Sequence, residues 1–412
     1  MLETYFMKKT TNSIFSKENL MFLGLSLEYY DLIIYSLLVV YLHQIFFPLD
    51  APHLALLKTI MIFVVGNFSR ILGSIVLGFI YDKFGIKMGL FYSMIFMGLC
   101  SLGIGILPAK IIVHPGFNLS IYILIIIRFL QGLIYSVEIP GSIAYAGSTN
   151  KTSSFGTIFS FLSFGYILAS FSIYLLTVSL NESEILSYGW RIPFIFGCLT
   201  SIIGVILRYK FIDYQDSTMS HKNYKFSEIL QKHNLISLIE IIKYFYAPAL
   251  IMVYGIYIFP NTKMMGFEMK DITLINTFAV LYSIFISPII GKYLNWLENN
   301  PILVRSFLVT IFLIAILNLN SSNIISLIVY MFAYQIVLSS YYVQGLFRIN
   351  KITENLKYKT IISAIGMSLC MILGQITYAN INYIFPNKTL PFLIIISLCL
   401  PLRLKLKPDN TY

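Results

Sequence analysis

Hydrophobic residues occur along this chain in long runs separated by polar turns. A run of about 20 apolar residues spans the hydrocarbon core of a bilayer as a helix, because in lipid each backbone polar group must be bonded within its own segment. Twelve such segments are predicted, at 20–47, 56–81, 88–108, 120–148, 153–180, 190–211, 241–260, 272–294, 302–319, 322–347, 359–385 and 390–404. The pattern predicts an all-α membrane protein with twelve transmembrane helices.

One long polar stretch divides the predicted helices into two groups of six. The division predicts an N-terminus at 1–19, a first six-helix bundle at 20–211, a central loop at 212–240, a second bundle at 241–404 and a tail at 405–412. Two equal groups are typical of transporters built from structural repeats, whose site lies near the bilayer midplane between the halves.

The basic residues predict the orientation. With the N-terminus inside, 21 Lys and Arg residues fall on that side and 6 on the other. Cytoplasmic loops carry the excess of Lys and Arg. Both termini and the central loop are therefore predicted to be cytoplasmic.

Composition agrees with a membrane protein and excludes several other classes. Hydrophobic residues make up 58% of the chain and charged residues 11%, whereas about 25% of a soluble domain is charged. The four cysteines lie in apolar runs without metal-ligand spacing, so no disulfide, metal or cofactor is expected. The net charge of +11 is scattered over short loops, which argues against nucleic-acid binding.

The turn after the second predicted helix carries a recognisable motif. Gly78 allows close helix packing, Gly85 permits a tight turn, and Asp82 lies near a helix start, where the helix dipole stabilises an acid. The segment from Gly78 to Lys87 resembles the G-x-x-x-D-R-x-G-R-K signature of the major facilitator superfamily. The resemblance implies the major facilitator fold and a gating turn that includes Lys83; an ordinary helix turn is the alternative.

The same spacing recurs between the eighth and ninth predicted helices. Gly291 and Pro301 match a P-x-x-G-x-x-x-D-R-x-G-R-R-P pattern, but Asn295 stands at the position of the acid. We interpret this segment as a repeat of the motif that has lost its charge contact.

Further segments of the first half narrow the resemblance. They are Glu28-Tyr29-Tyr30-Asp31, Arg70-Ile71-Leu72-Gly73, Arg128-Phe129-Leu130-Gln131-Gly132 followed by Glu138, and Gly189-Trp190-Arg191-Ile192-Pro193-Phe194. In order and spacing these resemble the metabolite:proton symporters, which include proline/glycine-betaine, 2-oxoglutarate and citrate carriers. The resemblance implies proton-coupled symport of a small zwitterionic or anionic metabolite by alternating access.

Ionisable residues within the predicted helices are the candidates for this chemistry, because charges in a membrane are costly and usually functional. Five residues, all in the first half, are predicted to be charges inside the membrane: Glu28, Asp31, Arg70, Arg128 and Glu138. Glu28 and Asp31 share a helix face, and crowded acids resist double ionisation. The three acids are therefore the predicted proton-coupling residues, with the Glu28/Asp31 pair ranked first.

Arg70, Arg128, Gln131 and Tyr29 are the predicted substrate or ion-pair residues. An arginine that binds an acid in one state and a substrate carboxylate in another would favour one conformation with each partner. The alternative is a static ion network that ties helices one, two and four together. The second half is predicted to have no charge within its helices, although its tyrosines could hold a quaternary ammonium group by cation–π contact.

Three functional alternatives follow from these residues. The first is a proton symporter in a bacterial cytoplasmic membrane, expected to be a monomer whose partners are its substrate, protons and lipid. An uncoupled facilitator or exporter on the same fold is the second. A membrane-embedded enzyme is the remote third, because no nucleophile, metal cluster or paired His and Asp is evident.

Overall fold

The computed structural model describes residues 17–84, 86–114, 117–149, 151–211, 231–317 and 323–384, and these residues are almost entirely helical. The helices are α1 (Lys17–Phe46), α2 (Pro52–Phe84), α3 (Ile86–Gly105), α4 (Leu119–Tyr135), α5 (Glu138–Ser148), α6 (Ser153–Ser179), α7 (Glu182–Ser187), α8 (Ile192–Phe211), α9 (Lys232–Met264), α10 (Met269–Lys292), α11 (Leu294–Asn299), α12 (Pro301–Leu317), α13 (Ile324–Thr353) and α14 (Lys359–Ile384). Two short strands, β1 (Ile112–His114) and β2 (Phe117–Asn118), pair antiparallel between α3 and α4.

The membrane prediction is confirmed for the described residues. Nine helical segments are long and apolar enough to cross a bilayer, and the shorter segments Gly89–Gly105 and Leu303–Ile316 are also apolar. These correspond to the first eleven predicted spans. The twelfth, at 390–404, lies outside the described residues.

Two boundaries differ from the sequence prediction. The fourth span is broken into α4 and α5, because the chain leaves the helix at Ser136 and Val137. The break places Glu138 in the first turn of α5, where free backbone N–H groups and the helix dipole favour a carboxylate. The first helix of the second half begins at Lys232 rather than at 241, so part of the predicted central loop is helical.

Two helix pairs make most of the contact between the first half, α1–α8, and the second half, α9–α14. One pair is α6 with α10, where the Ser163 and Ser283 hydroxyls lie 2.8 Å apart and Ser160 donates to the carbonyl of Ile284 at 2.9 Å. The other pair is α2 with α14. Both pairs run through the core, so the space that they enclose lies between the halves.

Glycines of the motif and its repeat close one end of this space. We call the end at which α1 begins the base, and the opposite end the top. A Cβ added at Gly78 would lie 2.7 Å from Ile361 Cγ1 of α14, and one at Gly291 would lie 3.0 Å from Ser153 Cα of α6. Both glycines therefore permit close helix packing across the base, and the second copy of the motif keeps this packing role.

The remaining residues of the predicted gating turn are only partly described. Asp82 and Lys83 lie in the last turn of α2 and Lys87 in the first turn of α3. Asp82 therefore belongs to the end of a helix and not, as was predicted, to a helix start. The side chains of these three residues are outside the described part of the structure. Gly85 itself lies outside the described residues. Their predicted gating role therefore stays a prediction.

We expect Gly132→Ala to destabilise the protein by about 1–3 kcal/mol, the usual cost of overpacking a core. A Cβ at Gly132 would lie 1.9 Å from the carbonyl oxygen of Gly66 in α2, an impossible contact. Gly141 lies nearby in α5 and has no atom within 4 Å of its added Cβ, so Gly141→Ala is the matched control. Thermal unfolding in detergent should separate the two variants, and equal stability would contradict this packing.

Candidate functional site

A small cavity lies between the two halves. Its volume is about 50 Å³, enough for a few water molecules. Its wall includes Tyr29, Asn67, Arg70, Tyr166, Tyr334 and Tyr342. The helices that contribute these residues belong to both halves, so the cavity is at the place where a two-repeat transporter binds its substrate.

Arg70 is the cation of this cavity wall. Its side chain is 7% exposed, and its guanidinium carbon lies 4.9 Å from the ring centre of Tyr135. Among the described residues, no Asp or Glu oxygen lies within 4.0 Å of it, and Nε has no acceptor. A buried arginine without a counter-ion favours binding of an anion from the cavity.

Four tyrosines surround the same space. Tyr29, one of the predicted substrate residues, and Tyr166 come from the first half, while Tyr334 and Tyr342 come from the second. Tyrosine rings contribute an apolar body and a polar hydroxyl, and their faces attract cations. The cavity therefore combines one fixed positive charge with a largely aromatic wall.

Asp31 lies apart from this cavity, inside the first half. We call Asp31 and its neighbours Ser101, Arg128, Gln131 and Ser201 the Asp31 site. Ser101 donates to Asp31 Oδ1 at 2.7 Å and Ser201 to Asp31 Oδ2 at 3.1 Å. Gln131 donates to the Ser101 hydroxyl at 3.5 Å, so this residue faces the interior of the first half. A Cβ at Gly197 would lie 1.9 Å from Oδ1, so glycine is required for the carboxyl to fit.

Arg128 lies near Asp31 but forms no ion pair with it. Both side chains are buried, at 2% and 0% exposure, and the two groups interact electrostatically. The Arg128 guanidinium stacks 3.8 Å from the ring centre of Tyr35, and its Nε and Nη2 have no acceptor among the described residues. Asp31 and Arg128 are thus neighbours that form no ion pair in this conformation.

A second polar cluster lies closer to the base. Arg208 Nη1 binds Glu28 Oε1 at 2.8 Å, and its Nη2 binds Glu138 Oε2 at 3.0 Å. Ser93 lies 2.5 Å from Glu138 Oε1 and 3.3 Å from Glu28 Oε1, and the carbonyl of Leu90 also accepts from Arg208. We call Glu28, Ser93, Glu138 and Arg208 the base cluster; it joins α1, α3, α5 and α8.

The base cluster corrects the predicted set of membrane charges in two ways. Arg208 was left out of the membrane charges, although it is only 3% exposed and lies in α8. The acid next to Glu28 is Glu138 and not Asp31, because the two acids of α1 belong to different clusters. With Arg208 included, the first half contains three buried acids and three buried arginines, so these charges balance over the half as a whole.

Charges also occur within helices of the second half, contrary to prediction. Glu240 and Lys243 lie in α9, while Arg348 and Lys351 lie in the last turns of α13. Glu298 of α11 forms an ion pair with Arg348, and a second with Lys351 at 2.9 Å.

Glu298 also changes the interpretation of the second motif copy. Asn295 and Glu298 are three residues apart in the short helix α11, so they share one face of it. An acid therefore stands one helical turn after the position where the motif lost it, and it binds two cations of α13. The charge contact that was predicted to be lost is therefore replaced within the same turn.

We expect Arg208→Met to destabilise the protein by about 3–5 kcal/mol, the cost of leaving a buried partner charge uncompensated. Adding Glu28→Gln and Glu138→Gln to this variant should restore much of the loss, because the remaining groups are then neutral. Thermal unfolding of the unmodified chain, the single variant and the triple variant checks both points. A single variant as stable as the unmodified chain would show that the base cluster contributes little to folding.

Eleven described spans in two halves around a central cavity with a fixed charge define a multi-pass membrane transporter. Residues 21–351 match the profile of the Major Facilitator Superfamily, and the chain belongs to this family. It is a family of transporters and not of enzymes. The structure of the proton:xylose symporter XylE bound to 6-bromo-6-deoxy-D-glucose has the same fold, with a TM-score of 0.68 and 16% identity over 94% of this chain and 93% of XylE.

Relatives at about 30% identity are named as metabolite transporters. A putative proline/betaine transporter of Staphylococcus haemolyticus is 31% identical over 193 residues, 46% of this chain and 41% of that protein. The inner membrane metabolite transport protein YhjE of Escherichia coli is 31% identical over 45% of this chain and 43% of its own. The citrate-proton symporter of Salmonella typhi is 29% identical over the same shares. The matches thus span less than half the length of these relatives.

Proposed function

We propose that this chain is a proton-coupled symporter of a small carboxylate metabolite. The observation that carries the proposal is Arg70, a buried guanidinium in the cavity between the halves that has no described carboxylate within ion-pair distance. A substrate carboxylate would supply the missing anion, and a charge-assisted pair with arginine is often bidentate. The names of the relatives agree with a metabolite of this kind.

The charge in the cavity favours a substrate with a single carboxylate. Arg70 is the cation among the described wall residues, and none of those residues is an acid. A dicarboxylate or citrate would bring at least one charge that Arg70 cannot balance. A zwitterion would place its carboxylate at Arg70 and its ammonium group against tyrosine rings such as Tyr29 and Tyr342. We therefore propose a proline-like or betaine-like substrate ahead of a dicarboxylate.

Asp31 is the proposed proton carrier. Its carboxyl is fully buried and is held by hydroxyl groups, without an ion pair, so protonation breaks no such pair. Loss of the proton would leave an aspartate beside the Arg128 guanidinium, which could leave Tyr35 to bind it. The two protonation states therefore prefer different arrangements of α1 and α4, which is the requirement for coupling to a conformational change.

Glu28 and Glu138 rank below Asp31 as carriers for substrate coupling, because both are bound to Arg208. Arg128 and Gln131 belong to the Asp31 site rather than to the cavity wall. We further propose that the base faces the cytoplasm, as the basic residues predict, that the membrane is a bacterial cytoplasmic membrane, and that the transporter acts as a monomer.

An uncoupled facilitator or exporter on the same fold is the second proposal. In that case Asp31 would have only a structural role, and its replacement would leave transport intact.

Uptake into proteoliposomes tests the substrate proposal. Radiolabelled proline, glycine betaine, 2-oxoglutarate and citrate are each offered with an inward proton gradient. We expect uptake of a monocarboxylate zwitterion, and competition against it by simple carboxylates but not by the corresponding amides. Uptake confined to the dicarboxylate or citrate would contradict the charge argument, and uptake of none would contradict the proposal.

A further inference from the structure

The base cluster contains two acidic side chains but only one basic side chain. Glu28 and Glu138 both contact the single guanidinium of Arg208, and all three side chains are at most 3% exposed. With both acids ionised the cluster would carry one net negative charge within the membrane. An uncompensated charge in such a place is costly, and one bound proton removes it.

The geometry shows where this proton can bind. No hydrogen-bond donor of the described residues reaches Glu28 Oε2, although the residue is fully buried. Buried polar atoms normally have a partner. The groups that act on Glu28 are Arg208, Glu138 and Ser93, and the hydroxyl of Tyr135 also interacts with it electrostatically. A proton on one carboxyl gives a donor that the neighbouring carboxylate accepts.

A small apolar contact separates this cluster from the second half. Leu90, Val137 and Ala364 pack together in a buried group, with Leu77 against it. Leu90 accepts from Arg208 through its carbonyl, and Val137 precedes Glu138. Ala364 belongs to α14, whereas the other three belong to the first half. One residue of the second half thus closes the apolar layer next to the base cluster.

We propose that the base cluster is a second proton-binding site, which holds one proton while the base is closed and opens to water at the base when α14 withdraws. The proton leaves a carboxyl oxygen for water, and the resulting carboxylate stays beside Arg208. Water that enters past Leu90 and Val137 then solvates the negative charge. The proposal needs an opening base, and therefore rests on the proposed alternating access, but it does not depend on Asp31 or on the substrate.

Infrared spectroscopy of the purified chain in lipid measures the proton directly. We expect a carbonyl band of a protonated carboxyl that disappears in Glu28→Gln and equally in Glu138→Gln, because an amide N–H replaces the donor that the proton provided. Asp31→Asn is the control, since it should leave this band in place. A band unchanged in both Gln variants, or absent from the unmodified chain, would show a fully ionised and static cluster.

A disulfide across the base tests the gating. A Cβ at Gly78 would lie 3.6 Å from the Cβ of Ile361, within the roughly 3.5–4.5 Å found in disulfides. The double variant Gly78→Cys with Ile361→Cys, oxidised, locks the base closed. In heavy water we expect the band to keep its position while locked and to shift after reduction, with each single variant as a control.

The infrared experiment on the disulfide-locked variant can be interpreted independently of the transport assays. A band that shifts equally fast in the locked and reduced forms would overturn gating by α14. The readout needs no substrate, so failure of the symport proposal would leave it intact: a chain that accumulates nothing can still show a locked band. If a Gln variant does not fold, Glu28→Asp should keep the band and shift its frequency, and an unaltered spectrum would count against Glu28.

Discussion

Asp31→Asn is expected to abolish accumulation of substrate against its gradient while leaving exchange of labelled for unlabelled substrate. With one coupled proton, an inward gradient of one pH unit supports about tenfold accumulation, since one unit corresponds to about 1.4 kcal/mol. Asparagine has nearly the same shape: its amide oxygen can accept from one of the two serine hydroxyls, Ser101 or Ser201, and its NH2 group can donate to the other. It cannot bind and release a proton, so the variant should only equilibrate its substrate.

Ser201→Ala is a matched control for this prediction, because it removes one of the two hydroxyl groups on Asp31 and keeps the carboxyl. We expect accumulation to persist in this variant, with an altered dependence on pH. Undiminished accumulation by Asp31→Asn would remove Asp31 as the carrier and favour the uncoupled facilitator or exporter, provided that the variant is inserted and folded.

Arg70→Gln is expected to weaken substrate binding by about 2–5 kcal/mol, the usual cost of removing one partner of a buried charge pair. That cost corresponds to a rise in Kd of roughly 30-fold to several thousand-fold. Arg70→Lys should recover only part of the affinity, because an ammonium group cannot make the paired hydrogen bonds of a guanidinium. Scintillation proximity binding of the labelled substrate to purified protein gives the Kd directly.

Arg128→Gln provides the comparison for Arg70. Arg128 is also a buried arginine above a tyrosine ring, but it is not among the residues of the cavity wall. Its replacement should leave the Kd within a few fold of the original value and alter coupling to protons instead. Equal losses of affinity in the two variants would mean that neither arginine is specific for the substrate carboxylate.

The hydropathy pattern was enough to predict the membrane-spanning helices, because an apolar run of bilayer length forms a helix in lipid, whereas the major facilitator fold was predicted from the resemblance of the motifs. The hydropathy pattern also placed Arg70, Arg128 and Asp31 inside the bundle. Their separation into a cavity wall and an internal site could not be predicted. That separation depends on which face of each helix meets which neighbour, and three charges in one sequence do not specify the partners.

Arg208 is a buried charge that the sequence prediction missed. It lies near the end of a predicted span, where an arginine usually extends to the interface, so the sequence alone gives no reason to place it in the core. In the structure it points inward because it forms ion pairs with Glu28 and Glu138. Gly24 leaves room for the guanidinium, since a Cβ at this position would lie 2.5 Å from Arg208 Nε. The signal in the sequence that could have indicated this arginine was the presence of Glu28 and Glu138 on separate predicted helices with no cation assigned to them.

Glu298 illustrates a limit of motif comparison. A position-by-position comparison notes that Asn295 has lost its charge, but a helix brings residues three apart onto one face. A search of the whole turn for acids would have found Glu298, although its partners Arg348 and Lys351 on α13 are visible only in the fold.

Substrate-driven proton entry tests the central claim of proton symport most directly. The purified chain is reconstituted into vesicles that contain a pH-sensitive dye, with equal pH on both sides and the membrane potential clamped. Adding the transported metabolite outside should acidify the lumen, and a protonophore or Asp31→Asn should abolish the signal. Uptake of labelled metabolite with no change in lumen pH would contradict the account.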